Sequence, residues 1–252
     1  MLLLYLLYLS FLVYLHKYVY ILGDKLLLQF FKDGSISTET IKHLSNDNIL
    51  KETANDEMIL STYKRKYITK NIWKSFMLLL ILIGSSLQFL DGFINNVWSN
   101  LSFQTWGTIY VALDLSGLIY VKGLPLATVI HHIVVNILGI VNAQTDYNMP
   151  GYYRSILIYT YFSIIPFLVN FYLGYRYLDK DVHRKKRLAY YSYRIYQFSL
   201  GFNIMSQFLF FIYEPLHYSI LLYAVLYCLI LNDDIKLILF LKKESFRPEM
   251  TD

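Results

Sequence analysis

Thiol chemistry is almost absent from this chain: one cysteine, Cys228, occurs in 252 residues. A disulfide scaffold, a thiolate metal cluster and a CxxC redox site are therefore excluded. Charge is also scarce. Charged residues make up 16% of the chain, against about 25% in a typical soluble domain. With so few groups to cover a water-facing surface, an ordinary soluble fold is excluded. No GxGxxG or GxxxxGK phosphate loop, HExxH helix or GxSxG elbow is present, so no cofactor is expected. There is no internal repeat and no low-complexity tract. What is abundant is apolar sequence, at 56% of residues, with 18% aromatic. The net charge of +5 does not point to nucleic acid, because the basic residues sit in the gaps between apolar blocks, as they do in bilayer proteins.

A hydrocarbon core about 30 Å thick needs roughly 20 apolar residues at 1.5 Å each. Seven blocks approach that length: Met1–Gly23, Ile72–Leu90, Trp106–Gly123, Leu126–Ala143, Tyr153–Tyr175, Tyr191–Ile212, and a last one from Pro215 to at least Leu231. The expected fold class is all-α, a polytopic membrane helical bundle with about seven transmembrane helices. Its expected organisation is a first span over 1–23, a polar cytosolic loop over 24–71, the bundle proper over 72–243 and a cytosolic tail over 244–252. The first block lacks a basic n-region and a small-residue cleavage pattern, so it reads as a span and not a leader. The third and fourth blocks are separated only by Gly123-Leu124-Pro125, which predicts a tight helical hairpin. Pro166 removes an amide hydrogen inside the fifth block and predicts a bend there. Asn232-Asp233-Asp234 reads as the point where the last helix leaves the bilayer. In the polar segment, Asp33-Gly34 is a turn signal and Ser37 or Thr38 could cap a short helix.

Every second loop is basic. Lys64, Arg65, Lys66, Lys70 and Lys74 precede or open the second block, Arg184 to Arg187 follow the fifth, and Lys242 and Lys243 follow the last. Positive charge stays cytoplasmic, which predicts a lumenal N-terminus and a cytosolic C-terminus. Asn100-Leu101-Ser102 is an N-glycosylation acceptor sequence in a loop expected on the lumenal side.

Polar side chains at bilayer depth are costly and usually face the bundle interior. Asp114 is the acidic residue nearest the middle of a confident span. It lies nine residues before Gly123, about 13 Å along the helix, and His131 lies eight residues after it, about 12 Å. Asp114 and the His131-His132 pair are therefore expected at matched depth on neighbouring helices. Adjacent histidines point about 100° apart, so each should find its own partner, and joint metal ligation is not expected. If the protein is an enzyme, Asp114, His131 and His132 are the candidate catalytic residues, since imidazole and carboxylate can move a proton near neutral pH. Otherwise they form a polar lock. Thr128, His132 and Asn136 share a stripe at i, i+4 spacing. Ser163, Asn170, Asn203 and Gln207 add polar positions on later spans, and with Thr128 and Asn136 they are the candidate lipid-binding residues.

Three ordered segments carry a family resemblance. Gly107-Thr108-Ile109-Tyr110-Val111-Ala112-Leu113-Asp114-Leu115, His131-His132-Ile133-Val134-Val135 and Pro166-Phe167-Leu168-Val169-Asn170 resemble the GYFxxDL, HHxVT and STPFLN segments of TLC-domain membrane proteins. That family includes ceramide synthases, translocon-associated membrane proteins and smaller members linked to lipid composition. The resemblance implies a seven-helix TLC-like bundle in the endoplasmic reticulum or another endomembrane, with membrane lipids as partners. In ceramide synthases the paired histidines act with acidic residues on the next helix to acylate a sphingoid base from acyl-CoA. Here Tyr152–Phe162 contains no Asp or Glu, Val135 stands where a threonine is usual, and the Glu before the third segment is missing. The resemblance therefore implies a small member of another type: a non-enzymatic lipid-handling protein with a polar cavity. A ceramide-synthase-like acyltransferase with a histidine base is the alternative, and a transporter or channel-like bundle a further one.

Overall fold

The computed structural model of the chain describes residues 2–33, 50–149, 153–213 and 218–246. Among these residues there are eight helices and no strand: α1 (Leu2–Asp33), α2 (Leu50–Asn95), α3 (Asn100–Tyr120), α4 (Leu126–Asn142), α5 (Tyr153–Ile164), α6 (Phe167–Tyr175), α7 (Val182–Tyr213) and α8 (Tyr218–Ser245). Three helical stretches are long and apolar enough to cross a membrane: Leu2–Gln29, Lys64–Asn95 and Val182–Ile212. The pair α5 and α6, bent by 41° at Pro166, makes a fourth if read as one broken span. α4 is apolar but has only 17 residues.

Large aliphatic side chains point outward along the helices. Leu3, Leu4, Leu87 and Leu101 are 70%, 71%, 76% and 78% exposed. A water-soluble monomer rarely carries so much contiguous apolar surface, so these faces suit lipid.

Local sequence explains most helix ends. α3 starts at Ser99, whose hydroxyl accepts from the Ser102 amide at 3.5 Å, a cap that satisfies one orphan donor. Asp181 caps α7 by accepting from the amides of His183 and Arg184 at 2.9 and 3.1 Å. This Asp carboxyl is held below its usual pKa, first by the Arg184 side chain and then by those amides. The α3–α4 hairpin turns at Gly123, whose φ of 73° suits glycine, and Pro125 stands at the head of α4.

Three sequence expectations need correction. The segment 24–71 is not one polar loop: α1 runs on to Asp33 and α2 already begins at Leu50. At 46 residues, α2 is about 69 Å long at the helical rise, more than twice the hydrocarbon thickness. Arg65 on its inner face meets Asp24 on α1 at 2.7 Å. The expected features at Gly34 and at Ser37 or Thr38 lie outside the described residues. Arg184 to Arg187 belong to the first turns of α7, not to a loop. Finally, Asn232-Asp233-Asp234 does not interrupt the last helix. α8 is continuous through it, because its two carboxylates find partners inside the bundle.

The core has three parts. The largest joins α1, α2, α3, α4, α5 and α8 around Tyr110, Leu113, Val135 and Ile230. A second cluster holds Phe89, Trp98, Phe103 and Tyr147 at the far end, and a third gathers Val169, Tyr172, Ala189 and Leu241. α6 lies close on α2 at Gly174. A Cβ there would stand 2.8 Å from Ile72 Cγ1 and 3.1 Å from the Ile68 carbonyl oxygen.

Candidate functional site

The short hairpin turn sets α3 and α4 side by side with their polar residues at one level. Asp114 is completely buried. One of its oxygens accepts a hydrogen bond from the Lys74 ammonium and lies 3.2 Å from His132 Nδ1. Its other oxygen has no hydrogen-bond partner among the described residues. On the opposite edge of the imidazole, Lys70 Nζ stands 3.1 Å from His132 Nε2. An ammonium group can only donate, so Nε2 accepts and the neutral ring carries its proton on Nδ1, towards Asp114. α2 supplies both lysines from one face, since Lys70 and Lys74 are one helical turn apart.

His131 turns the other way. Its Nδ1 is 3.4 Å from Asp233 and 3.8 Å from Asp234, both on α8, and its ring lies at 80° to that of His132. Thr128, one turn earlier on α4, donates to Asp233 at 3.1 Å. Tyr196 on α7 donates to Asp234 at 2.7 Å. The histidine pair is thus flanked by three acidic residues from two helices, Asp114 on α3 and Asp233 and Asp234 on α8.

All of these groups except Asp114 line a cavity of about 440 Å³, within the range of ligand pockets. α2 contributes Lys64, Lys70 and Lys74, while α5 and α6 contribute Tyr159, Ser163, Asn170 and Arg176. The bend at Pro166 lets both halves of the broken span reach it. At its inner end, Tyr110 and Tyr159 also line an apolar slot of about 40 Å³ whose other walls include Phe89, Trp106, Leu138 and Ile156.

The sequence-selected residues divide. His131, His132, Thr128, Ser163 and Asn170 line the cavity, and Asp114 lies just behind that wall, bonded to Lys74. Asn136 does not. It donates to the carbonyl of His132 at 2.7 Å within its own helix. Asn203 and Gln207 do not either. Gln207 binds the Ser155 hydroxyl, donates to the Ser155 carbonyl at 3.0 Å and accepts from Tyr223 at 3.0 Å, with Asn203 3.3 Å away. That polar knot ties α5, α7 and α8 together. α7 directs its i, i+4 stripe at neighbouring helices, and the stripe is consumed there.

The lysines and the α8 carboxylates were hidden by their position. Lys70 and Lys74 extend a run of flanking positive charge, and Asp233-Asp234 looks like a helix end. The legible signal was the turn spacing: Lys70, Asn71, Lys74 and Ser75 form one polar face leading directly into an apolar span, and all four are buried.

Although the two histidines diverge to separate partners as expected, Asp114, His131 and His132 still bring ligand atoms within 4.8 Å of one another, as a cation site would require. The surroundings oppose that use. Lys74 occupies the Asp114 oxygen that faces the histidines, and Lys70 occupies His132 Nε2. Two ammonium groups in a poorly screened interior would repel a divalent ion. The arrangement is better suited to relaying a proton or holding a polar ligand. Comparison of the chain with protein-family models, with curated proteins and with solved structures finds no match.

Proposed function

We propose that this chain is a polytopic endomembrane protein that handles lipid without transforming it, receiving a lipid headgroup in the charged cavity. The observation that carries this reading is the pairing of two spaces across one wall. A charged cavity of about 440 Å³ meets an apolar slot at Tyr110 and Tyr159, which is the complementarity an amphiphile requires. Seven spans fit the eight helices when α5 and α6 count as one broken span. With the basic loops in the cytosol, the cavity end bearing Lys64, Arg176 and Lys236 faces the cytosolic leaflet. The three segments resembling the TLC-domain family supply Tyr110, the histidine pair and Asn170, which line the cavity, and Asp114 behind His132, and so support the same reading. Its test is mass spectrometry of the detergent-purified protein. A stoichiometric lipid that is lost when Tyr110 and Tyr159 are both replaced by Trp supports the proposal, and a lipid-free, fully folded protein refutes it.

One observation favours acyl transfer as a second reading. Asp233 and Asp234 on α8 give His131 the acidic company that the fifth span lacks. In that reading Lys70 would release Nε2 of His132, and His132, oriented by Asp114, would take there the proton of an amine or hydroxyl nucleophile as it attacks an acyl-CoA thioester. The C–S bond would break, and the CoA thiolate would leave and be protonated. A general base contributes roughly 10²–10⁴-fold in rate. An acylated product that forms with acyl-CoA and disappears in His132→Gln would establish this reading.

A further inference from the structure

The charges lining the cavity are unequal in number and in how fully they are used. Five cations, Lys64, Lys70, Lys74, Arg176 and Lys236, line it with two carboxylates, Asp233 and Asp234. With neutral histidines the wall carries three surplus positive charges. Both lining carboxylates already have partners: Asp233 has Thr128 and His131, and Asp234 has Tyr196. An ammonium headgroup would meet a wall of net positive charge. By contrast, Lys64, Lys70, Arg176 and Lys236 have no carboxylate partner among the described residues.

Arg176 is the most informative of these. Its guanidinium carbon lies 4.8 Å from the ring of Tyr177 and 4.8 Å from that of Phe240, and one terminal nitrogen donates to the Tyr177 hydroxyl at 2.9 Å. The side chain is therefore held in place between two aromatic faces. Its Nε is nevertheless buried and without a hydrogen-bond partner among the described residues. A donor that is fixed, desolvated and unused calls for an acceptor, and a planar guanidinium matches an oxyanion better than any other group. Lys236 precedes Phe240 by one turn of α8, and Lys64 precedes Tyr67, whose ring is 5.9 Å from that of Tyr177. Lys64, Arg176 and Lys236 thus gather at one end of the cavity, with Lys70 further in against His132.

We infer that the cavity recognises a phosphate-type anion, with Arg176 as the fork and Lys64, Lys70 and Lys236 as surrounding cations. This rests on the lipid-handling reading where the anion is the headgroup of an anionic phospholipid. Free inorganic phosphate would present the same chemistry, and the experiment separates the two sources.

The full-length chain in a neutral detergent is titrated with phosphatidic acid, phosphatidylcholine, sphingosine and, separately, inorganic phosphate. Binding is read by native mass spectrometry and by the thermal midpoint. Phosphatidic acid should bind at least tenfold tighter than phosphatidylcholine, and sphingosine should not compete. Arg176→Gln with Lys236→Gln should weaken phosphatidic acid binding by roughly 10- to 100-fold, as expected for losing a charge-assisted hydrogen bond and a nearby cation. The control pair Lys180→Gln with Lys243→Gln, which removes equal charge outside the cavity, should leave binding unchanged. If loss of Arg176 lowers the ligand-free midpoint, the pair Lys64→Gln and Lys236→Gln, at two exposed positions, replaces it with the same expectation at about tenfold. Stabilisation by phosphate alone identifies a free anion, and stabilisation by phosphatidic acid alone identifies a headgroup; either sustains the inference. Equal binding of phosphatidylcholine or preference for sphingosine overturns it while leaving the lipid reading intact. Phosphate binding with no lipid binding removes the lipid reading and leaves the anion site. Unchanged binding in both variant pairs overturns the assignment of these residues.

Discussion

Replacing Asp114 with Asn isolates the charge at the centre of the site. Asparagine keeps the shape and one acceptor oxygen but removes the countercharge of Lys74, whose side chain is 10% exposed. Two opposing contributions must be weighed. A buried ion pair is weak evidence for stability against an apolar replacement, whereas removing one partner strands the other, at a cost of about 3–5 kcal/mol. For a chain of this size each kcal/mol moves a thermal midpoint by roughly 2–4 °C, so Asp114→Asn should lower it by roughly 6–20 °C. Lys74→Met alone leaves Asp114 facing only His132 at 3.2 Å and should cost a similar amount. The double variant Asp114→Asn with Lys74→Met removes both charges together and should recover most of the loss, a coupling of at least about 2 kcal/mol. The assay is thermal denaturation followed by size-exclusion of the four proteins in one detergent. Additive losses, or an Asp114→Asn midpoint within 2 °C of the parent, on the scale of less than about 1 kcal/mol, would show that the pair is not buried as described and would refute the reasoning.

His132→Gln should hold the midpoint within a few degrees, since the amide can still meet Lys70, whereas His132→Leu strands that ammonium and should cost about 1–3 kcal/mol. Gln207→Leu should lower stability by a similar amount by unpairing Ser155 and Tyr223, yet leave lipid retention unchanged, because Gln207 lies outside the cavity; lost retention at normal stability would contradict that placement. Gly174→Leu should separate α6 from α2, at a cost of about 1–3 kcal/mol of overpacking, visible as a lowered midpoint. A cysteine at Arg184 should label only from the cytosolic side, and lumenal labelling would reverse the topology. Asn100 should carry no glycan, because its amide donates to Asp146 at 2.7 Å and accepts from the Tyr147 amide at 2.8 Å; a mobility shift on deglycosylation would show that this contact opens.

Sequence by itself determined the features that depend on composition and spacing along one chain segment. The apolar blocks, the α3–α4 hairpin, the bend at Pro166 and the matched depth of Asp114 and the histidines all follow from side-chain hydropathy, residues that break helices and a rise of about 1.5 Å per residue. These are local quantities, and neighbouring helices do not alter them. Only the tertiary structure decided which polar groups meet. Lys70 and Lys74 have the sequence signature of flanking charge, and Asp233 and Asp234 that of a helix end, but α2 and α8 turn these faces inward. Each charge is tolerated there because another helix supplies its partner: Asp114 for Lys74, His132 for Lys70, Thr128 and His131 for Asp233, Tyr196 for Asp234. Whether a charged side chain is costly or stable at depth depends on what stands opposite it, and that is a property of the packed bundle. The same dependence removed Asn203 and Gln207 from the site: their stripe on α7 found Ser155 and Tyr223 before any cavity could use it.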